Sequence, residues 1–211
     1  YYSLKFSKID QGLGNLWFGF WAWIFNRKQC LLQLPILVLA TYSFPDLIVA
    51  HFSKGETQVF EDAYGKDYVT NEEFLKRLSL FNSLYLLVTI LSQVLLVILP
   101  LKAILGRERP KNIKGVKRIC NMRDLEHGKS MPSGDAAACA FIAGMYWYLF
   151  GFKSIAIVAI PFTAMGRVYT HCHWIGDTIF GSIIGFGLAG FFYGNEYFPK
   201  LSGPFVQAIF K

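Results

Sequence analysis

LSLFNSLYLLVTILSQVLLVILPL, residues 78–101, runs for twenty-four positions without one charged side chain. At about 1.5 Å of rise per residue, a helix of this length crosses a hydrocarbon core roughly 30 Å thick. The alternative is the buried helix of a soluble protein. Composition favours the membrane, because 54% of the residues are hydrophobic, only 17% are charged and the mean hydropathy is +0.36.

Four more apolar segments lie between charged residues and predict further spans. They are residues 31–50, 136–152, 154–166 and 178–194. The third is short and contains Pro161, so we expect it to extend toward residue 151 or to kink. A sixth stretch, residues 13–25, is aromatic and short, which suits a helix at the membrane interface or a first span.

These segments together predict an all-α fold, a polytopic membrane helical bundle with five or six spans. We expect one membrane domain over residues 1–211. Within it, residues 1–30 form the interfacial or first-span segment, and residues 78–194 form the helical core that carries the motifs described next. The protein is therefore predicted to be an integral membrane protein.

The formal charge of +7 does not indicate a nucleic-acid partner. The basic residues of this chain lie in loops between apolar segments, whereas a nucleic-acid-binding protein usually spreads them over a solvent-exposed face. The four cysteines show no CxxC pairing and are too scattered for a disulfide framework or a zinc site. We expect membrane lipids as partners, no nucleic acid, no metal and no other cofactor.

The order of the spans places several helix ends on one side of the membrane. If the spans cross alternately, the end of 78–101, the start of 136–152, the end of 154–166 and the start of 178–194 all emerge together. The suggestive polar residues of the chain are concentrated at these ends: Lys102, Arg109, Ser133, Gly134, Asp135, Arg167, His173 and Asp177. We therefore predict one polar site at this membrane face.

A histidine and an aspartate stand four residues apart at the start of the last span. On a helix, His173 and Asp177 would share a face and lie within reach of each other. A carboxylate that holds one imidazole N–H leaves the other ring nitrogen free as a base or nucleophile. Two other interpretations stay open: a capping pair, or half of a metal site formed with His171, although no further ligands stand nearby.

Three cations, Lys102, Arg109 and Arg167, would bring positive charge to the same site. Planar guanidinium groups suit phosphate oxygens, although contact with lipid headgroups is an alternative. Ser133 and Gly134 lie where a helix begins, and free N–H groups at a helix start bind anions. Ser133 also suits a simple N-cap, and both roles are compatible.

Three motifs follow one another along the chain: K-x6-RP (Lys102 to Pro110), PSG (132–134) and R-x5-H-x3-D (Arg167 to Asp177). Together they resemble the three-part signature of the type-2 phosphatidic acid phosphatase superfamily. That superfamily shares its site with vanadium haloperoxidases. The resemblance covers roughly residues 78–194. It implies a helical membrane bundle that hydrolyses phosphate monoesters or diphosphates without a metal.

The same resemblance implies roles for the individual residues. His173 would attack phosphorus and carry the phosphoryl group, and Asp177 would orient it. The phosphate oxygens would be held by Lys102, Arg109, Arg167 and the amides of Ser133 and Gly134.

Two positions depart from the family pattern. Members of the family usually have PSGH, in which the histidine protonates the leaving alkoxide, whereas this chain has Asp135. Gly166 replaces the serine that usually precedes the arginine of the third motif. If Asp135 stays ionised, protonation of the leaving group is lost, which typically costs a factor of about 10² to 10⁴.

Three functional hypotheses follow. The first is an integral membrane phosphatase that hydrolyses a phosphorylated lipid through a phosphohistidine. The second is a catalytically degenerate member that binds phospholipid or serves as a subunit among membrane protein partners; pairing of Arg109 and Arg167 with the protein's own carboxylates would favour it. A transporter is disfavoured, because the charges lie at helix ends rather than in mid-span.

Overall fold

The computed structural model describes residues 13–24, 30–111, 123 and 126–208. These residues form helices joined by turns and loops, and no strand occurs among them. The helices are α1 (Asn15–Ile24), α2 (Gln33–Ser43), α3 (Pro45–Val49), α4 (Lys54–Tyr64), α5 (Glu72–Ser92), α6 (Leu99–Leu105), α7 (Gly134–Phe150), α8 (Lys153–Tyr169), α9 (Ile175–Tyr193) and α10 (Tyr197–Ala208). A π-helical stretch, Gln93–Ile98, joins α5 to α6.

Within the part of the chain that the structure describes, two helical segments are long and apolar enough to cross a membrane: Glu72–Leu105, with 34 residues, and Ile175–Tyr193, with 19. The first exposes large apolar side chains at a spacing of three or four residues, at Leu84, Val88, Leu91 and Leu95. This spacing places them along one face of the helix. An apolar stripe of this length suits contact with hydrocarbon rather than water.

The helices α7 and α8 have 17 residues each, and at about 1.5 Å per residue each covers about 26 Å. They come close to the roughly 30 Å of a hydrocarbon core. The helix α8 begins at Lys153 and ends at Tyr169, so the short segment 154–166 gains length at both ends, and Pro161 lies inside the helix. A total of five or six spans stays a prediction.

The segment 31–50, which is predicted as one span, is not one continuous helix. The structure divides this segment at Phe44, whose φ of −139° and ψ of 51° lie outside the helical region, into α2 and α3. Steric contact with the ring of Pro45 disfavours the α-helical conformation at Phe44. Pro45 itself fits the first turn of α3, where its missing N–H needs no partner.

The helix α1 packs against the end of α8 that approaches the polar site. The ring of Trp21 stacks on Phe162 with 5.5 Å between centroids, and a Cβ added to Gly166 would lie 2.7 Å from the carbonyl oxygen of Phe18. The 10 described residues of α1 cover about 15 Å along the helix axis. Residues 1–12 and 25–29 of the predicted 1–30 segment lie outside the described residues.

The centre of the bundle is the contact between α7 and α9. Nearly every side chain of α7 is buried, and the run of alanines from 136 to 138 keeps this helix narrow. On α9, Gly181 and Gly185 face the backbone of α7, where an added Cβ would overlap the carbonyl oxygens of Ser133 and Ala137. Small residues thus let the two backbones approach closely, which brings the first turns of both helices together.

Gly185→Ala is expected to lower the free energy of unfolding by about 2 kcal/mol, because the new methyl group meets the rigid backbone of α7. Thermal unfolding of the detergent-solubilised protein would measure the change. Gly187→Ala is the matched control, since no atom lies within 4 Å of a Cβ added at Gly187 on the same helix. Equal unfolding temperatures for the two variants would contradict this account of the α7 and α9 contact.

Candidate active site

The structure brings together the four helix ends that alternating crossings predict. The N–H of Ser133 donates to the carbonyl oxygen of Asp177 at 2.9 Å, which joins the starts of α7 and α9. The carboxylate of Asp135, on the first turn of α7, lies 2.7 Å from the guanidinium of Arg167 near the end of α8. Lys102, on the last turn of α6, donates to two carbonyl oxygens just before α7 at 2.9 and 3.3 Å.

The imidazole of His173 lies in this site and is only 2% exposed. Its Nε2 is 3.1 Å from Nη1 of Arg109. Because a guanidinium group can only donate, Nε2 must hold a lone pair, and the ring proton of the neutral tautomer is on Nδ1. Burial lowers the pKa of His173 to about 4, and the charges of nearby arginines act in the same direction. The imidazole is therefore neutral at pH 7.

The Nδ1 side of the ring faces Asp177. The distance from Nδ1 to Oδ2 of Asp177 is 3.8 Å, and the hydroxyl of Ser130 stands beside both groups. Ser130 Oγ lies 3.4 Å from Nδ1 and donates to Oδ2 of Asp177. The backbone N–H of Trp174 also donates to Oδ2, at 2.9 Å. Asp177 therefore caps α9, and the hydroxyl of Ser130 connects its carboxylate to the Nδ1 side of the histidine.

Arg107 completes the set of groups around Asp177. Its Nη1 donates to Oδ1 at 3.1 Å, and its guanidinium lies 5.5 Å from the ring centroid of Trp174. Each oxygen of this fully buried carboxylate therefore has a donor, which fixes its orientation. Sequence reasoning missed both Arg107 and Ser130. The one feature of the sequence that indicated a role for Arg107 was its position inside the K-x6-RP motif, between Lys102 and Arg109.

Arg109 and Arg167 share a carboxylate that sequence reasoning also missed. Glu126 places Oε2 3.0 Å from Nη2 of Arg109 and forms a second ion pair with Arg167 through Oε1. Arg167 is fully buried, and the side chain of Glu126 is 10% exposed. Burial by itself would raise the pKa of Glu126, but the charges of Arg167 and Arg109 outweigh it and hold the pKa below its usual range.

The predicted helix-start groups have defined partners. Asp135 is buried in its ion pair with Arg167, a contact that uses the ionised carboxylate, which has no proton to donate. Ser133 is the N-cap of α7, and its hydroxyl accepts from the N–H of Ala136 at 3.4 Å. Since the N–H of Ser133 is bonded to Asp177, the Gly134 amide is the better placed of the two predicted phosphate donors.

A cavity of about 660 Å³ opens onto these groups. Its lining includes Arg109, His171, His173 and Trp174. Among the described residues, no group of three or more His, Cys, Asp or Glu side chains lies at metal-binding spacing. The cavity thus lies against both His173 and Arg109.

The sequence profile of the PAP2 superfamily matches residues 82–198, more than half of the chain. The chain belongs to the PAP2 superfamily. The match contains all three motifs, from Lys102 to Asp177, and it indicates phosphatase-type chemistry on a helical membrane fold. Comparison of the chain with curated proteins and with solved structures gave no significant match. In this PAP2 member, the positions of the three motifs meet in one site.

Proposed function

We propose that this protein is an integral membrane phosphatase that hydrolyses the phosphate monoester or diphosphate of a lipid through a phosphohistidine at His173. One observation carries the proposal. The Nε2 lone pair of a neutral, buried imidazole points toward Arg109, while Asp177 and Ser130 lie on its Nδ1 side. This is the arrangement in which a histidine acts as a nucleophile rather than as a cation.

The phosphate would bind where the Glu126 carboxylate now lies. Two oxygens of one carboxylate contact two guanidiniums, and two oxygens of a phosphate can take the same contacts. The contacts described above involve four cations, at Lys102, Arg107, Arg109 and Arg167, and three carboxylates. With Glu126 displaced and Asp135 still ionised, the charge of these groups is +2, which balances a phosphate dianion as it first binds.

The reaction then has two steps. The Nε2 lone pair of His173 forms a bond to phosphorus while the bond from phosphorus to the lipid oxygen breaks. Asp177 stabilises the positive charge that develops on the ring, through Nδ1–H. Water then attacks the phosphohistidine, and one of its protons passes to the carboxylate of Asp135, which gave its own proton to the leaving group in the first step. The bond between phosphorus and nitrogen breaks, and inorganic phosphate leaves while the imidazole returns to its neutral form.

The leaving alkoxide needs a proton, and Asp135 stands at the position where the family pattern PSGH has its proton-donating histidine. In the structure its carboxylate is paired with Arg167, so Asp135 must gain a proton when the phosphate dianion binds beside it.

A second candidate function is phospholipid binding without turnover, as a degenerate family member within a membrane assembly. The ion pairs of Arg109 and Arg167 with Glu126 and Asp135 favour it, because both guanidiniums already have protein carboxylates as partners. In this second function, the ion pairs would keep both guanidiniums bound to protein carboxylates, so that no phosphate is hydrolysed.

Phosphate release from phosphatidic acid and isoprenyl diphosphates by the full chain in lipid nanodiscs separates the two functions. We expect the native protein to be active. Asp135→His should lower kcat by on the order of tenfold or more, because Arg167 loses one buried ion pair. Asp135→Asn is the matched control, because asparagine keeps the size of the aspartate side chain but carries no charge. An inactive native protein that gains activity through Asp135→His would favour the degenerate function instead.

A further inference from the structure

Ser130 contacts both the imidazole of His173 and the carboxylate of Asp177. It lies in the segment that leads into α7, and it is fully buried. Its hydroxyl donates to Oδ2 of Asp177, and the same Oγ lies 3.4 Å from Nδ1 of His173. The direct distance from Nδ1 to Oδ2 is longer, at 3.8 Å. The shorter connection between the imidazole and the carboxylate therefore passes through the serine hydroxyl.

The carboxylate of Asp177 has little capacity for a further donor. Oδ1 accepts from Nη1 of Arg107 at 3.1 Å, whereas Oδ2 accepts from the N–H of Trp174 at 2.9 Å and from the hydroxyl of Ser130. Each carboxylate oxygen has about two lone-pair sites, so both sites of Oδ2 are in use. A donor at 3.8 Å is also too far away for a hydrogen bond. Asp177 therefore does not accept directly from the imidazole in this arrangement.

The hydroxyl of Ser130 can accept where Asp177 cannot. A hydroxyl has one proton and two lone pairs. Its proton is donated to the carboxylate of Asp177, so its lone pairs can accept from a donor. The ring proton of neutral His173 is on Nδ1, because Nε2 faces the guanidinium of Arg109. Nδ1–H can thus donate to Oγ of Ser130, and each hydrogen bond in this chain of three groups has one donor and one acceptor.

The main chain of Ser130 is held by two residues of the first motif. Its N–H donates to the carbonyl oxygen of Arg107 at 2.7 Å, and its carbonyl oxygen accepts from Nζ of Lys102 at 3.3 Å. Both partners lie within K-x6-RP, whereas His173 and Asp177 belong to the third motif. The first motif therefore fixes the position of a hydroxyl that contacts the third.

We propose that Ser130 is a positioning residue that connects His173 to Asp177 by a hydrogen-bond relay, from Nδ1–H to Oγ and from the hydroxyl to Oδ2. The inference rests on the proposed function, in which Nε2 of His173 attacks phosphorus. As the ring becomes positively charged, Nδ1–H becomes a stronger donor, and the relay carries the stabilising effect of the carboxylate to the ring. The Nδ1 proton stays on the ring throughout, so the relay transfers no proton.

A double substitution distinguishes a relay from two independent contacts. We expect Ser130→Ala to lower kcat for phosphate release by about 10²-fold with KM little changed, because the imidazole loses the group that orients it. Asp177→Asn should lower kcat by a similar factor. Since the two groups act in series, the variant with both substitutions should lose at most about threefold more than the weaker of the two single variants.

Ser202→Ala is the matched control for the loss of a buried hydroxyl. Ser202 is also fully buried, but it lies on α10, where its hydroxyl donates to the carbonyl oxygen of Phe198. We expect this variant to keep the native kcat. Losses that multiply in the double variant, or a Ser130→Ala protein as active as Ser202→Ala, would overturn the inference.

A second measurement does not depend on turnover. In ligand-free protein labelled with ¹⁵N-histidine, the buried Nδ1–H of His173 should give a ring N–H signal that exchanges slowly, identified by its loss in His173→Ala. We expect Ser130→Ala to shift or remove this signal and Ser202→Ala to leave it unchanged. A signal that Ser130→Ala does not alter would overturn the inference. If the native protein releases no phosphate, the proposed function fails, and this signal alone decides whether Ser130 accepts from His173.

Discussion

His173→Ala is expected to abolish phosphate release, with kcat lowered by at least about 10³-fold, because no other group takes over as nucleophile. In the structure the lone pair of Nε2 faces Arg109 and the opposite nitrogen is backed by Asp177. The substituted protein keeps Arg109, Arg167 and their partners, so it should still bind phosphate. The loss should therefore fall on kcat rather than on KM.

Rapid quenching of the native protein with a ³²P-labelled lipid phosphate tests the intermediate directly. We expect labelled protein that survives alkali and loses its label in acid, as a phosphohistidine does. His171→Asn is the matched control, since His171 lines the same cavity two residues away and asparagine tolerates its positive φ of 56°. Equal phosphate release by native protein and His173→Ala would remove the proposed reaction.

Glu126→Gln is expected to raise the affinity for orthovanadate by about 10²-fold. In the free protein Glu126 competes for both guanidiniums, and the incoming oxyanion must displace it. Breaking a buried ion pair costs about 3–5 kcal/mol, and an oxyanion no longer bears this cost in the variant. Isothermal titration of the solubilised protein with vanadate would measure the change.

The free energy of unfolding without ligand should fall in Glu126→Gln, whereas the affinity for vanadate rises. We expect Glu126→Gln to lower the free energy of unfolding by about 3 kcal/mol, because Arg109 and Arg167 lose a shared charge partner. Glu108→Gln is the matched control, since Glu108 lines the same cavity and is exposed. If both variants bind vanadate equally well, general charge rather than the position of Glu126 controls affinity.

Local rules in the sequence predicted most of the helices. Uninterrupted apolar stretches, residues 78–101 and 178–194, predicted most of Glu72–Leu105 and of Ile175–Tyr193. Such stretches also predicted α7 and α8 to within a few residues. The same reasoning did not predict the break in the helix at Phe44, because it counted apolar residues and overlooked Pro45. The effect of a proline on the residue before it is local and can be read from the sequence.

The sequence predicted which motif residues lie together in the candidate site, but it did not predict which charged groups pair with each other. If the spans cross alternately, their order places Lys102, Asp135, Arg167 and His173 at one membrane face, and the structure brings these four residues into one site. The role of Asp135 as a general acid stays a prediction, since the sequence could not show that Arg167 would be its partner.

By itself, the sequence determined the apolar helices, the spacing of the motifs and the family to which the chain belongs. Only the tertiary structure decided the partners of the charged groups: Glu126 between two arginines, Ser130 beside His173, and Arg107 on Asp177. Spacing along one helix fixes which side chains share a face. Contacts between a loop and several helix ends depend on how closely the helices pack, and here the glycines of α9 set that distance.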